Sequence, residues 1–392
     1  MVAQQTIGAH TMNVKVQRTG LVVSALVAVI SLMVSGLGAG ETKDVSVHYK
    51  VLAPITQRNL TIYPVVADRT FDTSNFLTLD EGIRSGQVII TEAGQTTGLV
   101  RPRQPVRHGG VWEEHPWPAP PEIRTGARVN ELALINNSDH PLLLLAGEIV
   151  TGGKQDRIVG KDRIVPAHGE PMALGVFCVE PHRWTGVSMQ FDSLGASMAQ
   201  PSVRSKAMSD QNQQEVWNAV SQSRQAFAMR AAPRDAREIE ATSSYAKAVQ
   251  NDGVKRQLDS VAVPLERSYD RLMQQLRANR AVGVVVAVNG ELIWADVFAS
   301  PGLLEKYWPK LIRSYAAEAI APRIAPTVGM TPPSAEDALR FMERLNAMHE
   351  NIETEPGVYR NTEMSGDDFE AFLLTSLLPN TGFDVHIAKM KR

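Results

Sequence analysis

The spacing of apolar residues in the first half of the chain predicts β-structure. Apolar and polar positions alternate over residues 45–51 and 60–66, with many valine, isoleucine and tyrosine side chains, and a period of two places one face of a strand in a core. Thr78 is a candidate N-cap for one intervening helical turn. Shorter apolar segments extend the strand pattern at residues 87–92, 129–135 and 142–146.

The pattern changes to a helical period between about residues 210 and 276. Glycine and proline become rare, and apolar side chains recur at helical spacing, as in Val216 and Val220. Pro233 and Gly253 interrupt the pattern, which predicts two or three helices. These helices either cover a sheet with their apolar faces or form a hairpin that binds a partner protein.

A β-hairpin is the clearest local prediction after residue 280. Apolar segments at residues 282–288 and 291–298 flank Asn289 and Gly290, which both tolerate the positive φ angles of a type I′ turn. The order of elements predicts an α+β fold: an N-terminal β-rich half, a central helical segment, and a C-terminal hairpin-helix-helix-strand unit, together forming a single domain. The expected C-terminal helices are residues 303–319 and 334–348, and the expected strands are residues 369–377 and 383–388.

The N-terminus has the pattern of a targeting segment. Two basic residues precede an uncharged stretch at residues 19–40, which ends in small residues at the spacing that a signal peptidase accepts. The same stretch is long enough to cross a bilayer as an uncleaved anchor. We therefore interpret residues 1–42 as a signal peptide or an N-terminal membrane anchor. Residues 43–392 are expected to be exported, to the periplasm or outside the cell, with no other attachment to the membrane.

Composition argues against several classes of function. A formal net charge of −2 and the lack of a basic stripe argue against nucleic-acid binding. The single cysteine, Cys178, excludes an intramolecular disulfide and a multi-cysteine zinc site. The nine histidines are scattered without a close pair, so we expect no metal site. The sequence identifies no cofactor.

The candidate site lies at residues 147–184, in a stretch that begins with the apolar segment at residue 142. Two apolar segments there end in polar side chains, which is how a scaffold presents a binding site. Buried charges must pair with each other or meet a ligand, because an isolated buried charge is costly. The cluster is therefore either a structural network, as in a structural envelope protein, or a site for a small anionic or ribose- or phosphate-bearing ligand. The ligand-binding candidates are Lys154, Gln155, Arg157, Arg183 and Trp184.

The same stretch contains candidate catalytic residues for a hydrolase or transferase. Cys178 and Glu180 share one face of a strand. A thiolate would need a histidine as its base, either His182 or the more distant His168. An unpaired cysteine on an otherwise apolar strand is usually a small core residue, which is the alternative interpretation. Glu148 and Glu180 form the alternative carboxylate pair.

The turn at Gly152 and Gly153 is not a P-loop. Gln155 stands where that loop needs a serine or threonine to hold magnesium. Successive backbone N–H groups of a glycine turn can still form a concavity for an anion, with Lys154 and Arg157 adding positive charge.

Two motifs carry a family resemblance. One reads GE-x(5)-KQ-x-R from Gly147, and the other reads C-x-E-x-x-R-W from Cys178. They resemble an uncharacterised domain family named for its association with ADP-ribosylglycohydrolase (ARG) and rhodanese-phosphatase superfamily proteins. The resemblance covers roughly residues 50–390 and implies one family domain, and the family name suggests ADP-ribose or phosphate chemistry. Residues 102–121 depart from the pattern as a proline-rich loop insertion, which is either passive or a lip of the binding site.

Overall fold

The computed structural model describes residues 47–100, 107–108, 111–112, 130–183, 188–276, 280–321 and 331–392. The predicted export segment and most of the proline-rich loop lie outside these ranges, so both interpretations stay predictions. Within the described ranges, no helix is long and apolar enough to cross a membrane.

Twenty strands are present in the described residues. In chain order they are β1 (Tyr49–Val51), β2 (Ile55–Gln57), β3 (Leu60–Ala67), β4 (Leu77–Thr78), β5 (Val88–Glu92), β6 (Arg107–His108), β7 (Val111–Trp112), β8 (Glu131–Asn136), β9 (Leu142–Leu144), β10 (Glu148–Gly152), β11 (Arg157–Val159), β12 (Arg163–Val165), β13 (Met172–Cys178), β14 (Phe191–Met198), β15 (Gly283–Val288), β16 (Glu291–Phe298), β17 (His349–Glu355), β18 (Tyr359–Ser365), β19 (Phe369–Ser376) and β20 (Asp384–Lys391).

Eight α-helices accompany them in the same described residues. They are α1 (Leu79–Arg84), α2 (Pro201–Ser205), α3 (Gln213–Arg230), α4 (Pro233–Glu240), α5 (Tyr245–Gln250), α6 (Asp252–Leu276), α7 (Pro301–Ile320) and α8 (Ala335–Glu343), and a π-helical turn, Lys206–Asp210, follows α2. The predicted cap of the first helix is confirmed, because the Thr78 hydroxyl accepts a hydrogen bond from the Glu81 backbone N–H.

The larger sheet is antiparallel and has the order β1-β3-β15-β16-β20-β19-β18-β17, with β2 also paired to β3. The predicted hairpin forms β15 and β16, and its turn residues Asn289 and Gly290 have φ angles of 53° and 79°. Side chains of β15 alternate between two cores. Val284 packs in the core shared with α3, α5, α6 and α7, whereas Val285 packs on the other face, in the core shared with α8.

A smaller pair of sheets carries the candidate site. The six-stranded sheet has the order β14-β10-β11-β13-β8-β5, and the three-stranded sheet has the order β12-β9-β4. Leu142 and Leu144 of β9 pack between these two sheets, whereas Leu143 and Leu145 belong to the core beneath the helices. Burial on both faces explains the continuous leucine run in this part of the sequence.

The predicted α+β class is confirmed, and the errors lie in individual elements. The central segment contains four helices instead of two or three, because α5 is a short helix of its own between α4 and α6. The helix predicted for residues 334–348 ends at Glu343. Strands β17 and β18 were not predicted, because β17 is an exposed edge strand of polar residues without a hydrophobic alternation.

Candidate functional site

The backbone of the glycine turn between β10 and β11 is hydrogen-bonded to side chains from other parts of the protein. Gly152 and Gly153 have φ angles of 122° and 47°, which favour glycine. The N–H of Gly152 donates to Asp156 Oδ1 at 3.2 Å, and the N–H of Gly153 donates to Ser188 Oγ at 3.1 Å. The next N–H, of Lys154, donates to a carboxylate oxygen of β5 at 2.8 Å. All three N–H groups of the turn therefore already have acceptors.

Arg183 fastens this turn to the end of β13. Its Nη2 atom lies 2.6 Å from Glu180 Oε2 and 3.5 Å from Asp156 Oδ1. The guanidinium also donates to the carbonyl oxygens of Gly153 at 3.2 Å and Gly152 at 3.4 Å. Its side chain is 19% exposed, whereas that of Glu180 is only 3% exposed. Arg183 thus sits at the solvent boundary of a buried acidic site.

Asp156 links this acidic site to the helical layer. Its Oδ2 atom accepts a hydrogen bond of 2.7 Å from the hydroxyl of Ser244, the N-cap residue of α5. Burial raises the pKa of Asp156, the Ser244 hydroxyl opposes the shift, and the neighbouring Glu180 adds to it. Asp156 and Glu180 are therefore two adjacent carboxyl groups held by one arginine.

Arg157 and Cys178 lie opposite each other on β11 and β13. Arg157 is fully buried, and its Nη1 atom donates to the Asp156 carbonyl oxygen at 3.4 Å. Burial lowers the pKa of Arg157, and Arg183 adds to this shift, whereas Cys178, Glu92 and Asp156 oppose it. The arginine therefore supplies positive charge next to two carboxyl groups of the site.

Cys178 has the environment of a core thiol. It is fully buried, and burial raises the pKa of its thiol. Its backbone N–H and carbonyl are both bonded to the Gln213 side chain, at 2.8 and 2.9 Å. The two histidines considered as bases lie elsewhere. His182 is exposed, and the His168 ring is 2.5 Å from Asp139.

Glu148 belongs to a different cluster from Glu180. Its Oε1 atom lies 2.6 Å from Lys310 Nζ, and its Oε2 atom accepts from the Leu145 N–H at 2.9 Å. Lys310 is shared with Asp80, also at 2.6 Å. Glu180, by contrast, contacts Arg183 and accepts from the Asp156 N–H. The structure therefore does not bring Glu148 and Glu180 together as a pair.

Two acceptor oxygens in the site have no hydrogen-bond donor in the described part of the chain. They are Glu92 Oε2 and Gln155 Oε1, on side chains of residues that are 3% and 5% exposed. The partner atoms of each side chain are used: Glu92 Oε1 accepts from Lys154, and Gln155 Nε2 donates to the Glu180 carbonyl at 3.1 Å. Glu92 was not among the predicted residues, although it is a polar residue at the end of an apolar strand, the same signal that selected the others.

A second buried network was also missed by sequence analysis. The His386 ring lies 2.5 Å from Asp162 and 3.2 Å from Asp296, and Arg204 binds both oxygens of Asp296 at 2.9 and 3.1 Å. Burial alone would lower the pKa of His386, but the two aspartates raise it to about 9. Because every charge in this network has an opposite partner and no member is exposed, we assign it a structural role.

Trp184, the remaining ligand-binding candidate, lies outside the described residues. Among those that are described, no group of three or more histidine, cysteine, aspartate or glutamate side chains could hold a metal ion.

Comparison with known proteins gives one match. The family model described as the ARG and Rhodanese-Phosphatase-superfamily-associated Protein domain matches residues 48–388. Neither the curated proteins nor the solved structures give a match to the chain.

Proposed function

The chain belongs to the family of the ARG and Rhodanese-Phosphatase-superfamily-associated Protein domain, and we propose that it is an exported protein that binds a small ligand. The proposed site lies within residues 147–184 and includes Glu92 as a further member. The proposed ligand carries hydroxyl groups, such as those of a ribose, and an anionic group, such as a phosphate.

The two buried acceptors without donors carry this proposal. Leaving a buried acceptor oxygen unsatisfied costs about 1–3 kcal/mol, and two acceptor oxygens in the described part of the site, Glu92 Oε2 and Gln155 Oε1, have no donor. Glu92 is bonded to the glycine turn through the Lys154 N–H, and Gln155, the next residue of the turn, is bonded to the Glu180 carbonyl beyond the end of β13. A ligand with two hydroxyl groups would donate to both oxygens. Carboxylates bind ribose hydroxyls in this way in dinucleotide-binding folds.

The anionic group is assigned to the rim of the site. The backbone N–H groups of the glycine turn are occupied by Asp156, Ser188 and Glu92, so they do not offer a phosphate cradle. Positive charge is available at the surface instead. Arg183 is 19% exposed, and Lys247 is 64% exposed with its Nζ atom 3.9 Å from Glu180. An anion that binds there would take over part of the pairing that Arg183 and Lys247 now make with Glu180.

A carboxylate-dependent hydrolase or transferase is the second candidate. Burial raises the pKa of Asp156, Glu180 adjoins it, and Arg183 contacts both. Two neighbouring carboxyl groups in unequal environments can act as a proton donor and its ionised partner. In this form of the proposal Asp156 is the general acid. The raised pKa of Cys178 disfavours the thiolate alternative.

Isothermal titration calorimetry of the full-length protein tests the proposal. Ribose 5-phosphate is the probe. Separate titrations with ribose and with inorganic phosphate show how much the hydroxyl groups and the anionic group each contribute to binding. We expect ribose 5-phosphate to bind the wild type at one site and Glu92→Gln at least about tenfold more weakly, because a hydrogen bond to a charged group contributes about 1.5–3 kcal/mol.

Glu318→Gln is the matched control. Glu318 is also a buried carboxylate, but it binds Gln200 and Ser202 at the start of α2. We expect this variant to bind the probe as the wild type does. Equal weakening in both variants, or no binding heat in the wild type, would overturn the proposal. Release of inorganic phosphate from the probe would favour the enzyme instead.

A further inference from the structure

A separate cavity lies on the face of the larger sheet that packs against α8. It has a volume of about 480 Å³ and is bounded by the β15–β16 turn, β20, the loop before β19, and α8. Leu292, Phe341 and Phe369 give it apolar walls, and Lys389 of β20 forms part of the lining. None of these residues belongs to the site proposed above.

Lys389 is the unusual member of this cavity. The residue is only 2% exposed, and its Nζ atom lies 4.2 Å from the centre of the Phe369 ring and 5.2 Å from that of Phe341. Its hydrogen bond goes to the Arg344 carbonyl oxygen, next to the end of α8. Within the described residues, no carboxylate lies within ion-pair distance of it. Buried lysines normally have such a partner.

The surrounding charges leave Lys389 without strong electrostatic support. Burial lowers the pKa of Lys389 to about 8, Asp368 opposes the shift, and Arg344 adds to it. Asp368 is itself 3.8 Å from Arg344. The other charged groups of the lining are also paired: Lys391 with Glu291, and Asp337 with Arg340 and Ser334.

We propose that Lys389 is a nucleophilic amine that captures a small neutral aldehyde in this cavity as an imine. Buried lysines are the usual choice for this chemistry, because an amine that loses its proton near neutral pH has a lone pair available. The apolar walls and the internally paired charges favour an uncharged ligand with an apolar or aromatic body.

The reaction is a condensation without a change in oxidation state. The Nζ lone pair attacks the carbonyl carbon, and the electrons of the C=O π bond move to oxygen, which takes up a proton to give a carbinolamine. The C–O bond then breaks as the hydroxyl takes a second proton and leaves as water. The nitrogen loses its two hydrogens as protons, and the C=N bond forms. The net reaction is amine plus aldehyde to imine plus water.

Reductive trapping of the full-length protein tests this inference. Benzaldehyde and sodium cyanoborohydride convert the imine into a stable benzylamine, which peptide mass spectrometry locates. Lys391 is an internal control, because it lines the same cavity, is 42% exposed and pairs with Glu291. At pH 7.5 we expect benzylation of Lys389 to be on the order of tenfold faster than that of Lys391, because the lowering of the Lys389 pKa from 10.5 to about 8 raises its own fraction of neutral amine about two-hundredfold.

The pH profile and one variant complete the test. The trapping rate at Lys389 is expected to level off above about pH 8. Lys389→Arg keeps the cation between the two rings and should abolish trapping at this position in a folded protein. If Lys391 reacts as fast as Lys389, or if Lys389 is not benzylated, the lysine only anchors α8 to the sheet and the inference is wrong. Because the comparison is made within the wild-type chain, it does not depend on the variant folding.

Discussion

Arg183 Nη2 lies 2.6 Å from Glu180 Oε2, three residues away along the chain. The same guanidinium donates to the carbonyl oxygens of Gly152 and Gly153. Two motif residues at the end of β13 therefore hold the glycine turn that carries Lys154 and Gln155. The charges of this motif fix the conformation of the turn by contacts within the protein. A ligand would therefore meet a turn that these contacts hold in place.

Arg183→Lys should loosen this turn although it keeps the positive charge. A lysine ammonium is a point donor and cannot reproduce the planar fork that reaches both carboxylates and both carbonyls. We expect the free energy of unfolding to fall by about 1–3 kcal/mol, measured by urea denaturation. Arg234→Lys serves as control, because Arg234 is 85% exposed and its ion pair contributes at most about 1 kcal/mol. Equal effects of the two substitutions would contradict this role of Arg183.

Lys310→Met should destabilise the protein much more than Lys306→Met. Lys310 is 4% exposed and contacts both Asp80 and Glu148. Removing it leaves buried carboxylates without a cation, a change that costs about 3–5 kcal/mol. Lys306, one turn earlier on α7, is 32% exposed and pairs with Glu81, so its loss should cost about 1 kcal/mol or less. Similar denaturation midpoints for the two variants would show that the buried cluster is not a tight ion pair.

His386 should make stability depend on pH above neutrality. The pKa of His386 is raised to about 9 in the folded protein, from an ordinary value of 6.5. The stabilisation is therefore complete below pH 6.5 and is lost as the pH rises through 9. Its size is about 3 kcal/mol. The free energy of unfolding, measured at pH 6 and pH 9.5, should fall by about that much more in the wild type than in His386→Gln. Lys389, with a pKa of about 8, also titrates between these two pH values, but it does so in both proteins and its effect cancels in the comparison. The same pH dependence in the wild type and in His386→Gln would refute the raised pKa of His386.

Cys178 should resist alkylation in the native state. The thiol is fully buried and its pKa is raised by that burial, so the reactive thiolate is scarce and shielded. Iodoacetamide at pH 8 should label the protein only after denaturation in urea, as measured by intact mass. Because the chain has a single cysteine, the added mass identifies the site without ambiguity. Labelling at equal rates in the native and denatured states would reopen the nucleophile hypothesis.

Local patterns in the sequence predicted the elements that depend on neighbouring residues. The Asn289-Gly290 hairpin and the capped turn at Thr78 are examples, because turn and cap preferences act over a few residues. The edge strand β17 was missed, because a strand exposed on both faces has no apolar period. The short helix α5 was missed for a different reason, since Ser244 and Tyr245 at its start bond to Asp156 and Val179, which are distant along the chain.

The sequence indicated only part of the candidate site, because some of its residues are brought together by contacts between distant parts of the chain. Gln155, Arg157, Cys178 and Glu180 lie close together because they stand on two adjacent strands or directly beyond the ends of those strands. The contributions of Glu92 and Ser244 come from strands and helices distant along the chain. The pairing of Glu148 with Lys310 spans 162 residues. No local period in the sequence specifies such long-range partners.

The central claim, that this site binds a ligand, is tested most directly by native mass spectrometry of the purified full-length protein. The wild type, Glu92→Gln and Glu318→Gln are compared at equal concentration with ribose 5-phosphate added. We expect the mass of one ribose 5-phosphate on the wild type and on Glu318→Gln, and a much smaller liganded fraction on Glu92→Gln. An unliganded mass for all three proteins, with Glu92→Gln merely less stable, would contradict the claim and identify the charged cluster as a structural network.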